Sequence, residues 1–273
     1  MRRILALIAC LGIMFISGCK PSVDQIRAIL EKNPDVVFNI IEQNPEKFME
    51  VVNNAFQKAQ LKEREKAQAD LEAAREKEFK EPKKPNIESS RAIRGNPNAP
   101  ITIVEYTDIE CPYCARGHQV IRSLEEKYKD KIRVVFKHLP LEFHEQALPA
   151  AQWFEAIAMQ NPQKAYEFSD VLFQNQDKLG VEFYKATAKA LGLDVAKIES
   201  DIKSDKIKTR IEADKTEAKE FEFTGTPGFL INGVSIRGAM PQAEFEKVID
   251  RLLGTAPQAA PKGAPAAPAH PDH

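Results

Sequence analysis

Apolar positions change their spacing several times along this chain, and each change predicts a different element. Ile4 to Ile16 is a continuous apolar run of thirteen residues behind Arg2 and Arg3. It falls short of the ~20 residues that cross a hydrocarbon core, and a basic tip before a short apolar stretch is the pattern of a secretory signal. From residue 22 to about 60, apolar residues return at helical spacing in three short runs. They are Ile26, Ile29 and Leu30; then Val36, Val37, Ile40 and Ile41; then Phe48, Met49, Val52 and Phe56. Asn33-Pro34 and Asn44-Pro45 separate the runs, eleven residues apart, and a proline fits the first turn of a helix, where no N–H is needed. Ser22 and Asp24 can cap the first helix. Helices this short are marginal alone, and the segment is too small to bury so many large side chains. It is expected to associate with a copy of itself or, failing that, to pack on the C-terminal part of its own chain.

The pattern then turns charged. Lys62 to Lys84 alternates the signs of its charges and reads as a solvated helical stalk, ended by Pro82 and Pro85, with Arg91 to Pro100 as a connector. Ile101 to Thr107 is a β-branched strand, residues 111 to 129 a helix carrying Val120, Ile121, Leu124 and Tyr128, and Ile132 to Lys137 a second strand. A mainly helical stretch follows from about 145 to 222, with Ala-rich turns around Trp153. Gly228 to Val234 and Ser235 to Arg237 read as a hairpin on Asn232-Gly233, and Phe245 to Leu253 as a closing amphipathic helix. Thr255 to His273 is rich in Ala and Pro and is expected to be disordered. The expected organisation is a signal peptide over 1–18, a helical association segment over 19–60, a stalk and linker over 61–94, a folded domain over 95–254 and a tail over 255–273. The fold class is α/β, a sheet with inserted helices, preceded by an all-α segment.

Composition narrows the function. Of 273 residues, 39 are Lys or Arg and 40 Asp or Glu, so the formal charge is −1, which argues against a nucleic-acid binder. With 29% charged residues and one apolar run, a multi-spanning membrane protein is excluded. The four cysteines must be read one at a time. Cys10 leaves with the signal. Ile16-Ser17-Gly18-Cys19 resembles the bacterial lipobox, which implies cleavage before Cys19 and lipidation of that cysteine. Several acyl chains give durable anchoring. Lys20 rather than Asp after the cysteine implies, in a Gram-negative cell, the outer membrane facing the periplasm, where disulfides persist.

Two thiols remain, in Cys111-Pro112-Tyr113-Cys114, between a strand and a helix. Unpaired N–H groups and the dipole at a helix N-terminus stabilise thiolate over thiol, so Cys111 is the expected nucleophile. Cys114, three residues on, can resolve a mixed disulfide. Pro112 suits the first helical turn. A competing reading sets Cys111, Cys114 and His118 on one helical face as zinc ligands, with His138 or His144 completing the site. Without that role, His118 is expected to be exposed. His270 and His273 in the tail are a weaker metal candidate.

The segment from Tyr106 to Cys114, with Phe136 to Leu141 and His144, and Thr224 to Gly233, resembles the DsbA-like family of thioredoxin-fold proteins over residues 95 to 253. The resemblance implies a thioredoxin fold with an inserted helical domain and thiol–disulfide exchange on unfolded or misfolded exported proteins. The redox couple Cys111–Cys114 serves in place of any cofactor, and a membrane partner renews it. Pro227 is implied to be a cis-proline beside the cysteines, leaving the Thr226 backbone free to pair with an extended substrate. Thr at 226 is commoner in isomerase-like relatives. Glu105 stands where relatives place a buried acid beneath the second cysteine. Its alternation with Ile101 and Ile103 gives it apolar company that raises its pKa, so it can exchange a proton with Cys114. Glu110 is expected to be an exposed charge tuning the thiolate, and Trp153 to lie in the core or line a groove. The N-terminal segment is similar in placement to the oligomerising segments of DsbC-type, ScsC-like and Com1-like proteins. An oligomeric holdase and a metal-handling lipoprotein are the alternatives.

Overall fold

The computed structural model describes residues 22–254. The expected signal peptide, Cys10, Cys19 and Lys20, and the 255–273 tail with His270 and His273, lie outside the described residues. The described residues divide into two compact units, one up to Ala69 and one from Asp70.

In the first unit, α1 (Val23–Lys32) starts at Ser22 with a reciprocal cap. The Ser22 hydroxyl accepts from the Gln25 N–H at 3.2 Å, and the Gln25 side chain accepts from the Ser22 N–H at 2.9 Å. Next come α2 (Pro34–Gln43) and α3 (Pro45–Lys80), each opening on its proline, and α3 continues past the boundary of the first unit. The Asn33 and Asn44 side-chain amides donate back to the Ile29 and Ile40 carbonyls at 2.9 Å, closing the helix before each break. No residue of α1 to α3 is buried, and Ile26, Val37, Phe38, Met49 and Phe56 present their apolar surface outward. Since α3 runs unbroken for 36 residues, the third apolar helix and the charged stalk form one element.

In the second unit, a five-stranded sheet has the order β1-β3-β2-β4-β5. Its strands are β1 (Arg94–Gly95), β2 (Ile101–Thr107), β3 (Ile132–His138), β4 (Gly228–Ile231) and β5 (Val234–Arg237). Only β2 and β3 are parallel, joined by α4 (Pro112–Tyr128), and the other pairings are antiparallel. Between β3 and β4 the chain makes α5 (Ala147–Gln160), α6 (Pro162–Phe173), α7 (Val181–Ala190), α8 (Val195–Asp201) and α9 (Asp205–Glu220), and it closes with α10 (Gln242–Leu252). Alternation along β2 divides the core. Ile101 and Ile103 face a cluster with Cys114, Ile121, Leu124, Phe136, Phe154, Phe229 and Phe245. Val104 and Tyr106 face a smaller one with Val135, Ala218, Phe223 and Leu230. Trp153 is buried in the larger cluster.

Three local differences from the sequence reading have physical causes. The 91–100 connector contains β1, whose residues pair with Val134 and Arg133 on the edge of β3. The first hairpin strand ends at Ile231 rather than Val234, because Asn232 (φ 45°) and Gly233 (φ 91°) turn through the left-handed region. A side chain at Gly233 would also run into the Lys83 backbone, which donates its N–H to the Gly233 carbonyl at 3.1 Å. Lastly, the charged stretch that becomes α9 turns part of its charge inward. Arg91 makes two hydrogen bonds to Asp214 (2.7 and 2.9 Å) and one to Glu155 (3.1 Å), and Arg210 reaches Glu155 at 2.9 Å, all in the interior. Burial alone would raise the Glu155 pKa, but His138, Arg91 and Arg210 outweigh it and hold the carboxyl at about 2.

Candidate active site

The end of β2 and the start of α4 place the two cysteines. Cys111 is the N-cap residue of α4, and its N–H donates to the Asp108 carbonyl at 3.1 Å. Cys114 sits one turn inside the helix, fully buried, with the Asp108 N–H donating to its sulfur at 3.4 Å. The Thr226–Pro227 peptide is cis, and the Thr226 carbonyl lies 3.7 Å from the Cys111 sulfur. Gly117 lets this loop approach, since a Cβ there would meet Pro227 Cγ and Phe229 Cζ at 3.1 Å. A groove along the cis-proline loop is lined by Phe223 to Pro227, Arg237 and Gly238.

The electrostatics differ sharply between the two thiols. The Cys114 thiol hydrogen-bonds the Cys111 sulfur; against opposition from burial, and helped by Thr226 and the N–H groups of Tyr113 and Cys114, it lowers the Cys111 pKa to about 5. Burial first, and the neighbouring Cys111 sulfur second, push Cys114 far up. One thiol is therefore ionised at neutral pH and its partner holds its proton. Glu105 is fully buried in β2, on the same face as Ile103. Burial raises its pKa to about 8; Thr107 and Arg94 oppose the rise, while the Glu125 charge adds to it.

The remaining expected residues have mixed placements. Tyr113 is exposed, with the Arg116 guanidinium 4.3 Å above its ring. Glu110 is half-buried rather than exposed, because its carboxylate accepts the Gln146 N–H at 2.6 Å. His118 is buried rather than exposed, stacked on Phe173 with ring centroids 4.5 Å apart and 2.8 Å from Asp170. Nor do the other zinc candidates gather round the cysteines. His138 lies 3.0 Å from Glu155, and His144 lies 2.8 Å from Asp108. Among the described residues no group of three or more His, Cys, Asp or Glu is arranged to hold a metal ion.

Two residues the sequence reading passed over fix the loop before Cys111. Asp108 is buried and accepts from the Glu110 N–H (2.8 Å), the Leu141 N–H (3.0 Å) and the His144 ring. From the helical insert, the Gln176 side-chain amide donates to the carbonyls of Ile109 (2.7 Å) and Cys111 (2.9 Å). Asp108 sits inside the resembling motif and was within reach; nothing near Gln176 in the sequence marks it.

Known proteins resemble this chain. A family profile described as thioredoxin matches residues 86–251. The alpha-DsbA2 thiol-disulfide exchange protein of Wolbachia pipientis aligns with TM-score 0.59 at 22% identity, over 67% of this chain and 98% of that one. Wolbachia pipientis alpha-DsbA1 aligns with TM-score 0.55 at 26% identity, over 62% and 93% respectively. A curated relative, the Na(+)/H(+) antiporter NhaA 1 of Mycolicibacterium gilvum, is 33% identical over 165 residues, 59% of this chain and 26% of the relative. The chain thus spans about a quarter of the length of the first curated relatives it matches. Among the described residues no helix is long and apolar enough to cross a membrane.

Proposed function

The chain belongs to the thioredoxin family, in its DsbA-like branch, and from that premise we propose that it is an extracytoplasmic protein thiol:disulfide oxidoreductase working through Cys111 and Cys114. The observation that carries the reading is the split between an ionised Cys111 at the mouth of α4 and a protonated, buried Cys114 behind it. In the oxidising direction, a substrate thiolate attacks Cys111 of the Cys111–Cys114 disulfide and releases the Cys114 thiolate, which takes up a proton. A second substrate thiol then attacks the substrate sulfur of the mixed disulfide; the substrate leaves oxidised and the protein reduced. In the isomerising direction, the Cys111 thiolate attacks a wrong substrate disulfide and the substrate rearranges while attached. Beside Pro227, which lacks an N–H, the Thr226 backbone pairs with an extended substrate segment. The redox couple itself carries the electrons, so the reaction draws on no further cofactor.

The same reading places the protein in the periplasm, held by lipid on Cys19, with Lys20 directing it to the outer membrane of a Gram-negative cell. A membrane redox partner renews the couple. Residues 22–60 join copies of the chain, a reading supported by the apolar surface that α1 to α3 expose. The test uses reduced and scrambled substrate proteins: Cys111→Ser is expected to abolish refolding of both, and retention of both activities would end the enzyme reading. That exposed apolar surface also favours a second reading, an oligomeric holdase. Suppression of aggregation that survives loss of both thiols, with no redox turnover, selects it. A metal-handling role has no support among the described residues.

A further inference from the structure

Half of the buried side-chain polar atoms that lack a hydrogen-bond partner among the described residues surround the cysteine pair: both Glu105 carboxyl oxygens, Thr107 Oγ1 and Thr226 Oγ1. A buried polar group without a partner costs about 1–3 kcal/mol, so a cluster of them calls for a reason. Glu105 and Thr107 are two residues apart on β2 and share the face that carries Cys114. The N–H of Asp108, next after Thr107, holds the Cys114 sulfur at 3.4 Å, which sets that sulfur over the end of the strand. All three side chains are at most 1% exposed.

We propose that Thr107 is a proton relay between the Cys114 thiol and the Glu105 carboxylate, acting when Cys114 resolves a mixed disulfide on Cys111. The inference rests on the thiol-exchange reading above and deepens it. A hydroxyl is both donor and acceptor, so one group can take a proton from sulfur while giving its own to a carboxylate. Thr107 Oγ1 makes no settled hydrogen bond in the resting structure, yet it stands near enough to Glu105 and Cys114 to favour the ionised form of each. Facing Glu105 are also Arg94 from β1, Glu125 from α4 and Tyr166 from α6, and of these only the Arg94 charge favours the carboxylate.

The step balances. The Cys111 thiolate attacks a disulfide RS–SR, forming Cys111–SR and releasing RS⁻. The Cys114 proton passes to Thr107 Oγ1 as the Thr107 proton passes to Glu105. The Cys114 thiolate then attacks the Cys111 sulfur, the Cys111–Cys114 bond forms, and the second RS⁻ leaves. The dithiol is oxidised by two electrons and the disulfide reduced by two.

Rapid mixing of the reduced full chain with a symmetric aromatic disulfide separates the halves, because Cys111 attack and Cys114 resolution each release one coloured thiolate. In Thr107→Val the rate of the second release relative to the first is expected to fall by about 10²-fold, the low end of what positioned proton transfer supplies. Its rise with pH through about 8, the range in which Glu105 ionises, is expected to disappear. Thr107→Ser keeps the hydroxyl and is expected to restore both; Thr107→Ala gives the same reading as valine should valine disturb the strand. A wild-type ratio and pH profile in Thr107→Val, with Glu105→Gln slowed, would overturn the relay and leave the oxidoreductase reading standing. A reduced wild-type protein that releases neither thiolate would overturn the oxidoreductase reading itself.

Discussion

Replacing Glu105 by Gln should make the reduced protein more stable, by an amount set by pH. The folded state holds the Glu105 proton up to about pH 8, while in the unfolded chain the carboxyl ionises near its ordinary value of 4.5. Below pH 4.5 both states are protonated and burial of the neutral acid carries no ionic penalty. Between the two values unfolding releases a proton, so wild-type stability falls by about 1.4 kcal/mol per pH unit and stops falling once pH passes 8. At pH 7 the accumulated loss is about 3 kcal/mol. Gln has the same shape and no charge to gain, so Glu105→Gln escapes the loss. Urea unfolding of both proteins, cysteines kept reduced, at intervals from pH 4 to 8 reads the difference, since groups common to both cancel. The gap is expected to be near zero at pH 4 and about 3 kcal/mol in favour of the variant at pH 7. A gap that does not change with pH would refute the reasoning, because it means the folded state ionises Glu105 as easily as the unfolded chain. The variant that gains this stability also loses the proton acceptor for Cys114, a trade of activity against stability at a functional site.

Two further substitutions test the supports around the site. Arg91→Met removes the buried guanidinium that Asp214 and Glu155 share. It should cost about 3–5 kcal/mol, seen as a fall of roughly 10 °C in the thermal midpoint; a midpoint within about 2 °C of wild type would mean the cluster is dispensable. Gln176→Ala removes both hydrogen bonds to the Ile109 and Cys111 carbonyls. It should lower stability by about 2 kcal/mol and speed amide exchange selectively in the loop before α4, and unchanged exchange there would show that the insert does not hold the loop.

How much could be read from the residues varies by element for physical reasons. The β-branched runs at Ile101–Thr107 and Ile132–His138 announce strands because both are buried on two sides, and the structure extends the second by one residue only. Asn-Pro breaks announce α1 to α3, because proline and the asparagine side chain act on their own backbone. Glu105 is legible too, since strict alternation with Ile101 and Ile103 puts it on their face. By contrast, β1 exists only through pairing with β3, and two residues carry no periodicity. The inward turn of Arg91, Arg210 and Asp214 is hidden because a charged residue looks the same in sequence whether solvated or paired. His118 and Gln176 are likewise defined by partners 52 and 65 residues away, Asp170 and Cys111.

The most direct measurement titrates the Cys111 sulfur of the reduced protein by the ultraviolet absorbance of its thiolate. The account predicts one thiolate appearing with a midpoint near pH 5, while Cys114 stays protonated through neutrality. No absorbance change below pH 7, followed by a step near the ~8.5 of free cysteine, would contradict it.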